Sequence, residues 1–208
     1  LGNPTVGALE ARLTALEEGA MCVALSSGTS AVMYSLINIM SQGDNFVTAN
    51  QLYGGTYTMF DNILPEYGID SKKVDITDLA AVENAIDDKT RAIYCETITN
   101  PGLVVADISA LSEIAHSKGI PLIVDATFTT SAILKPFEYG ADIVVYSLTK
   151  WMSGHGRVIA GAVIEKGGFD WGNGNFPLYD KPDTSYGGMR WGHDLGDLGN
   201  VAYSLRLR

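Results

Sequence analysis

The sequence predicts an α/β domain with a parallel or mostly parallel sheet that is covered by helices on both faces. Short apolar runs alternate along the chain with segments of helical periodicity, which is the pattern of repeated βα units. The apolar runs are nearly continuous, as in strands that are buried on both faces. A chain of 208 residues with 46% hydrophobic and 18% charged residues can build one sizeable core.

The first half of the chain begins with a predicted helix over residues 5–18. Leu9, Leu13 and Leu16 recur there at helical spacing, and Gly19 provides a C-terminal stop. The elements that follow are a strand at 22–25, a helix at 30–40, a strand at 46–49 and a helix at 57–64 that ends at Pro65.

The second half continues the alternation and ends in a segment of different character. Its predicted elements are helices at 79–86 and 108–118 and strands at 91–95, 121–125, 143–146 and 158–165. Within the last strand, Gly161 predicts a close approach of another segment to the backbone. Residues 169–191 are rich in Gly, Asn, Pro, Tyr and Trp without periodicity, which predicts a long loop with a function of its own.

Net charge and cysteine content limit the classes of binding partner and the cellular compartment that we expect for this protein. The formal charge of −10, from 14 basic and 24 acidic residues, argues against nucleic acid or an anionic membrane as a partner. Cys22 and Cys95 lie in apolar stretches and are expected to be buried free thiols of a reducing compartment. No apolar stretch reaches the length of a membrane span and no signal-peptide pattern opens the chain, so we expect a soluble, cytoplasmic protein.

Lys150, in Ser147-Leu148-Thr149-Lys150-Trp151, ends the segment that begins with the apolar run of residues 141–146. A lysine buried at the end of a strand is costly as a cation, and burial lowers its pKa toward the neutral amine that attacks a carbonyl or aldehyde. The alternative is a solvated surface lysine just past a strand, which is the commoner situation.

Two glycine-containing turns follow predicted strands. Ser26-Ser27-Gly28-Thr29 leads into a helix, where free backbone N–H groups suit a phosphate, although an ordinary N-cap has the same residues. It is not a Walker loop, because it lacks the Gly-Lys-Ser/Thr ending. Tyr53-Gly54-Gly55-Thr56 places an aromatic ring where it can stack on a flat cofactor, or simply pack in a turn.

Asp125 ends a strand whose other residues are apolar, so its carboxylate needs a partner. A protonated ring nitrogen is one such partner, and a helix cap or a metal ion are alternatives. The three histidines show no metal-ligand spacing with carboxylates or cysteines, so we expect no metal site. A phosphate cradle, a stacking ring, a carboxylate and a strand-end lysine together describe a pyridoxal 5'-phosphate site.

These motifs resemble those of the cystathionine γ-synthase-like enzymes of cysteine and methionine metabolism, which are fold-type I pyridoxal-phosphate enzymes. The matching runs are Asn3-Pro4-Thr5, Ser26-Ser27-Gly28, Tyr53-Gly54-Gly55-Thr56, Glu96-Thr97-Ile98-Thr99-Asn100-Pro101, Val124-Asp125-Ala126-Thr127-Phe128 and Tyr146-Ser147-Leu148-Thr149-Lys150. The resemblance covers essentially the whole chain. It implies that residues 1–208 form the cofactor-binding large domain, a three-layer αβα structure with a mostly parallel sheet.

The resemblance also implies roles for individual residues. Lys150 is the Schiff-base lysine, Asp125 pairs with the pyridine nitrogen, and Tyr53 stacks on the ring. The phosphate is held by the turn of Ser27, Gly28 and Thr29, through backbone N–H groups of the last two, and by the hydroxyl groups of Ser147 and Thr149. Asn100 lies near the phenolic oxygen of the cofactor and Thr127 packs on the other face of the ring. The family usually has Asn in place of Ala126, and Met or Gln in place of Thr29.

Within the family, two segments resemble the O-acetylhomoserine sulfhydrylases. They are Gly154-His155-Gly156 and the aromatic, Gly/Asn-rich residues 169–177, although the latter alternatively form a lineage-specific loop without bearing on the substrate. This resemblance implies γ-replacement on O-acetylhomoserine by sulfide or a thiol, in a homotetramer of dimers that share active sites. Methionine γ-lyase and cystathionine γ-synthase or γ-lyase activities remain alternatives.

The first and last residues suggest a piece of a longer chain. Leu1 is not methionine, and Arg208 follows no terminating signal. In the family, a Tyr-x-Arg phosphate clamp precedes the Asn-Pro-Thr run, and an arginine of a C-terminal domain binds the substrate carboxylate. Arg157 and Arg190 do not occupy equivalent positions. A non-catalytic cofactor-binding fragment is therefore a further alternative for this sequence, because guanidinium–carboxylate contacts supply orientation and binding energy.

Overall fold

The computed structural model describes residues 2–208 and contains a seven-stranded sheet. The strands are β1 (Met21–Leu25), β2 (Asn45–Ala49), β3 (Asp70–Val74), β4 (Thr90–Glu96), β5 (Leu122–Asp125), β6 (Ile143–Ser147) and β7 (Gly161–Glu165). Their order is β1-β7-β6-β5-β4-β2-β3, and β7 runs antiparallel to the other six strands of this sheet. The mostly parallel α/β architecture predicted from sequence is confirmed.

Helices pack along this sheet. They are α1 (Pro4–Glu17), α2 (Gly28–Ile37), α3 (Gly54–Thr58), α4 (Leu79–Ala85), α5 (Ile108–Ser117), α6 (Thr130–Ile133), α7 (Pro177–Asp180) and α8 (Ala202–Leu207). α2 packs on β6 and β7, α5 on β4 and β5, and α1 and α8 on β1 and β7. Every residue of β2, β4 and β7 is buried, as the continuous apolar runs predict.

β3 is a strand that the hydrophobic pattern does not predict. Its sequence, Asp-Ser-Lys-Lys-Val, is polar, and its residues are half-buried or exposed. The strand lies at the edge of the sheet, paired only with β2. Lysines are common on edge strands because they discourage pairing with another chain. A strand with such a polar sequence has no apolar run by which it could be predicted.

The predicted helix at 57–64 is wrong in both its bounds and its form. α3 starts earlier, at Gly54, and is followed by a π-helical segment (Met59–Ile63) and a 3₁₀ turn (Leu64–Tyr67). Pro65 lies in the first turn of that 3₁₀ segment, where the missing N–H costs no hydrogen bond. The chain turns away at Gly68, whose φ is +71°.

The last predicted strand begins three residues later than its apolar run. Val158 and Ile159 are 53% and 75% exposed, and pairing starts only at Gly161. The close approach predicted at Gly161 is confirmed, because a Cβ atom there would lie 2.0 Å from the carbonyl oxygen of Ser27. Glycine therefore lets β7 pass against the turn that leads into α2.

Part of residues 169–191 packs on the core: Trp171, Phe176, Tyr179 and Trp191 are buried, whereas most of residues 181–190 are exposed. Trp171 stacks on Tyr179 and Tyr203 with ring centroids 5.1 Å apart in both pairs, and Phe176 packs edge-on against Trp171. All four rings are buried. The indole N–H of Trp171 donates to Glu165, at the end of β7. The aromatic composition that suggests a functional loop therefore reflects packing against the sheet.

Both cysteines are free and buried, as predicted, and burial raises the pKa of each thiol to about 12. No helix within residues 2–208 is both long and apolar enough to cross a membrane.

Candidate active site

A pocket of about 720 Å³ opens where β1, β4, β5 and β6 end and β7 begins. Ligands of open α/β sheets bind at the carboxyl ends of the strands, and this volume suits a small-molecule site. The structure brings all ten candidate residues to its lining: Ser27, Gly28, Thr29, Tyr53, Asn100, Asp125, Thr127, Ser147, Thr149 and Lys150. None of residues 169–191 is among the lining residues.

The N-terminus of α2 faces this pocket in a fixed position. The hydroxyl oxygen of Ser27 caps the helix by accepting the backbone N–H of Ser30 at 3.0 Å. A Cβ atom on Gly28 would lie 2.4 Å from Cβ of Ser147, so only glycine allows the helix to start directly against the end of β6. The first turn of α2 and the hydroxyl group of Ser147 therefore line one end of the pocket together.

Hydrogen bonds lock the neighbouring turns. The backbone N–H of Ser147 donates to the hydroxyl oxygen of Thr127 at 2.7 Å. The hydroxyl group of Thr149 donates to the carbonyl oxygen of Ala160 at 3.2 Å and accepts the Ala160 N–H at 3.1 Å. A phosphate contact from Thr149 would therefore replace its bond to the Ala160 carbonyl oxygen.

Lys150 lies in the turn after β6, with its N–H donating to the carbonyl oxygen of Ser147 at 3.2 Å. The residue is exposed, so the expectation that it is buried at the strand end is wrong. The chain leaves the sheet after Ser147, and by Lys150 it has reached the open side of the pocket. Its amine is accessible to a ligand in the pocket. Lys150 therefore differs from the other lysines in its position at the pocket and not in its burial.

Asp125 lies at the end of β5 with its carboxylate bordering the pocket. Its Oδ1 accepts the N–H of Thr127 at 2.9 Å, and its Oδ2 accepts the hydroxyl group of Tyr94 at 3.3 Å. Although one side of the residue borders the open pocket, protein surrounds the carboxyl group, and this burial raises its pKa, an effect that the two hydrogen bonds partly offset. A cation placed in the pocket would favour the ionised form.

Glu96 also lines the pocket, although no role for it is predicted from sequence. It ends β4 in register with Asp125 of β5 and is 6% exposed. Its Oε1 accepts the N–H of Tyr53 at 2.8 Å, and its Oε2 accepts the N–H of Asn100 at 3.0 Å. Burial raises its pKa to about 7, and the charge of Asp125 adds to the rise. The sequence does contain a signal for Glu96, because its carboxylate ends the buried strand β4 just as the carboxylate of Asp125 ends β5.

Tyr53 lies at the start of α3, is 48% exposed and lines the pocket. A Cβ atom on Gly55 would lie 2.7 Å from Cε1 of Tyr53, so the glycine leaves room for the ring. Apolar side chains for which no role is predicted from sequence also line the pocket: Val32, Ile98, Phe128, Trp151 and Ile159. A single apolar residue carries no sequence signal that separates a pocket wall from a core.

Comparison with known proteins identifies the family. The family model described as Cys/Met metabolism PLP-dependent enzyme matches residues 1–189. An O-acetyl-L-homoserine sulfhydrylase from Leptospira meyeri is 42% identical over all of this chain and 48% of its own length. A homocysteine synthase from Schizosaccharomyces pombe is 43% identical over 99% of this chain and 48% of its own length. The chain thus spans about half the length of the curated relatives that it matches.

Solved structures agree with the sequence comparison. A putative O-acetylhomoserine (thiol)-lyase from Campylobacter jejuni, which contains N'-pyridoxyl-lysine-5'-monophosphate, matches 99% of this chain and 50% of its own, with a TM-score of 0.93 and 38% identity. An O-acetylhomoserine sulfhydrylase from Wolinella succinogenes matches 99% of this chain and 55% of its own, with a TM-score of 0.84 and 37% identity. The chain belongs to the family of Cys/Met metabolism PLP-dependent enzymes.

Proposed function

We propose that the protein containing this chain catalyses γ-replacement on O-acetylhomoserine, with pyridoxal 5'-phosphate as cofactor. Sulfide or a thiol displaces acetate from the γ carbon, which gives homocysteine or a thioether for methionine and cysteine biosynthesis. The observation that carries the proposal is the convergence of Lys150, Asp125 and the N-terminus of α2 on one pocket. The activities named for the relatives from Leptospira meyeri and Schizosaccharomyces pombe support the substrate class.

The donors and acceptors of the pocket fit a flat, phosphate-bearing aldehyde. The first turn of α2, together with the hydroxyl groups of Ser147 and Thr149, suits a phosphate. The Asp125 carboxylate, whose pKa is raised by burial, suits a protonated ring nitrogen. Tyr53 and Thr127 would contact the ring, Asn100 would lie near its phenolic oxygen, and Ser27 would hold the helix cap.

The cofactor, when bound, supplies an electron sink for negative charge that develops at the substrate α carbon. Lys150 is the amine of this pocket, where it is placed to anchor the aldehyde and, once the amino group of the substrate has replaced it there, to act as the base at the α carbon. The same Nζ would move a proton at the β carbon so that acetate can leave the γ carbon. Asp125 would keep the ring nitrogen protonated throughout.

The test uses the full-length protein loaded with pyridoxal 5'-phosphate and supplied with O-acetylhomoserine and sulfide. We expect equal amounts of homocysteine and acetate, measured by mass spectrometry and enzymatic acetate assay. A control without sulfide should release much less acetate. If methionine alone yields methanethiol and 2-oxobutyrate while O-acetylhomoserine with sulfide yields no homocysteine, the protein is a γ-lyase and this proposal fails.

The proposal includes a homotetramer of dimers that share active sites. Apolar side chains that line the pocket support a subunit contact there, since Trp151 is 68% exposed and Ile159 75%. We expect the full-length protein to sediment as a tetramer, and Ile159→Asp to lower both the oligomer mass and the activity. A monomer with full activity at the assay concentration would contradict this arrangement.

The two free, buried cysteines suit a cytoplasmic enzyme.

A further inference from the structure

We propose that Glu96 is a positioning residue whose carboxylate clamps the backbones of Tyr53 and Asn100 together at the edge of the cofactor pocket. The identity of the cofactor rests on the proposed function, but the clamp itself rests on the geometry of this chain. Glu96 does not need to touch the cofactor, because it acts through the two residues that line the pocket on either side of it.

The two hydrogen bonds join segments that are distant in sequence. Tyr53 starts α3, which follows β2, and Asn100 lies in the turn that follows β4. Glu96 accepts the Tyr53 N–H with one carboxylate oxygen at 2.8 Å and the Asn100 N–H with the other at 3.0 Å. Both carboxylate oxygens are therefore engaged, and the backbones of Tyr53 and Asn100 share one hydrogen-bonding group.

Only an ionised carboxylate can perform this task well. A glutamine at position 96 would have the same shape, but its NH₂ group would face one of the two N–H donors. Glu96 is 6% exposed, and none of the ion pairs found within residues 2–208 involves it. Burial of an unpaired carboxylate is costly, so packing alone would be satisfied better by a neutral residue.

The clamp should open as the pH falls. Burial raises the pKa of Glu96 to about 7, with the Asp125 charge on β5 acting in the same direction. The other titratable groups next to it are Tyr94 and Cys95 on its own strand and Tyr53 from α3, and burial also raises the pKa of Tyr94 and Cys95. Below about pH 7 the protonated carboxyl group has an O–H in place of one acceptor, so one of the two N–H groups loses its partner.

The first measurement is hydrogen exchange of single backbone amides in the full-length, cofactor-free protein, with wild type, Glu96→Gln and the charge-retaining Glu96→Asp. We expect the Tyr53 or the Asn100 amide to exchange at least about tenfold faster in both variants, because glutamine has one acceptor oxygen fewer and the aspartate carboxylate, on a side chain one methylene shorter, does not reach both N–H groups. Amides of β4 and β5 should keep their rates, which shows that the variants are folded. Glu113→Gln on the exposed face of α5 is the matched control.

The second measurement is the dissociation constant of pyridoxal 5'-phosphate between about pH 6 and pH 8. We expect Glu96→Gln to bind about tenfold more weakly at pH 8, with a difference that shrinks toward pH 6, where wild-type Glu96 is protonated as well. Glu113→Gln should match wild type throughout. The inference fails if neither amide exchanges faster, or if affinity falls by the same factor at every pH. If wild type binds no cofactor, the proposed function fails, and the exchange rates alone then decide on the clamp.

Discussion

Replacement of Lys150 by alanine in the full-length protein should abolish covalent attachment of pyridoxal 5'-phosphate and lower the rate of homocysteine formation by about 10³-fold or more. Lys150 is the amine that the turn after β6 presents to the pocket, close to Ser147 and Thr149. Alanine removes both the anchoring amine and the base proposed for the α carbon. Borohydride reduction followed by peptide mass spectrometry measures the attachment, and steady-state kinetics measure the rate.

A second lysine provides the control for this experiment. Lys166 is exposed and follows β7, and the end of β7 pairs with the first residues of β1 and β6. It therefore lies at the edge of the sheet opposite the pocket, and Lys166→Ala should keep both attachment and rate. The role assigned to Lys150 is wrong if the reduced cofactor is still found on the Lys150→Ala protein, or if the wild-type protein carries it on another lysine.

The architecture and the site could be predicted because both follow from features that are local in sequence. Buried parallel strands appear as apolar runs, and a polar residue that ends such a run falls at the ligand-binding edge of the sheet. Asp125 and Lys150 were found in this way, and both line the pocket. The polar edge strand β3 was missed because it lacks the apolar run on which this reasoning depends.

The contacts within the site could not be predicted because they depend on the order of the strands. Glu96 reaches the Tyr53 N–H because β4 lies beside β2 in the sheet, while β3, which falls between them in sequence, lies outside β2. Tyr94 reaches Asp125 because β4 also lies beside β5. The exposure of Lys150 depends on the path of the turn after β6, which the sequence of the strand does not determine.

Replacement of Asp125 by asparagine should have opposite effects on activity and on the stability of the cofactor-free protein. We expect kcat/KM to fall by about 10²-fold to 10³-fold, because a neutral amide does not hold a ring nitrogen protonated. Asparagine keeps the shape of the side chain, so its Oδ1 can still accept the Thr127 N–H and its NH₂ can donate to the hydroxyl group of Tyr94.

The effect on stability follows from the direction of the Asp125 pKa. Burial raises this pKa in the folded state, so the folded protein holds the proton more tightly than the unfolded chain. The associated stability is complete below the ordinary aspartate pKa and is lost as the pH rises through the raised value. Above the ordinary aspartate pKa the cofactor-free wild type therefore loses stability that a neutral side chain would keep, and Asp125→Asn should unfold at a higher denaturant concentration.

Addition of the cofactor should reduce the difference in stability between Asp125→Asn and wild type, or reverse it. A protonated ring nitrogen pairs with the Asp125 carboxylate but not with the amide, so pyridoxal 5'-phosphate should stabilise wild type by more than it stabilises Asp125→Asn. Urea unfolding with and without cofactor measures both quantities, and Asp88→Asn, at an exposed position, is the control. If the two proteins gain equal stability from the cofactor, Asp125 does not contact a cationic group of it. A carboxylate that binds the ring nitrogen should lower the stability of the cofactor-free protein and raise the stability that the cofactor adds. A residue with a purely structural role would contribute equally with and without the cofactor.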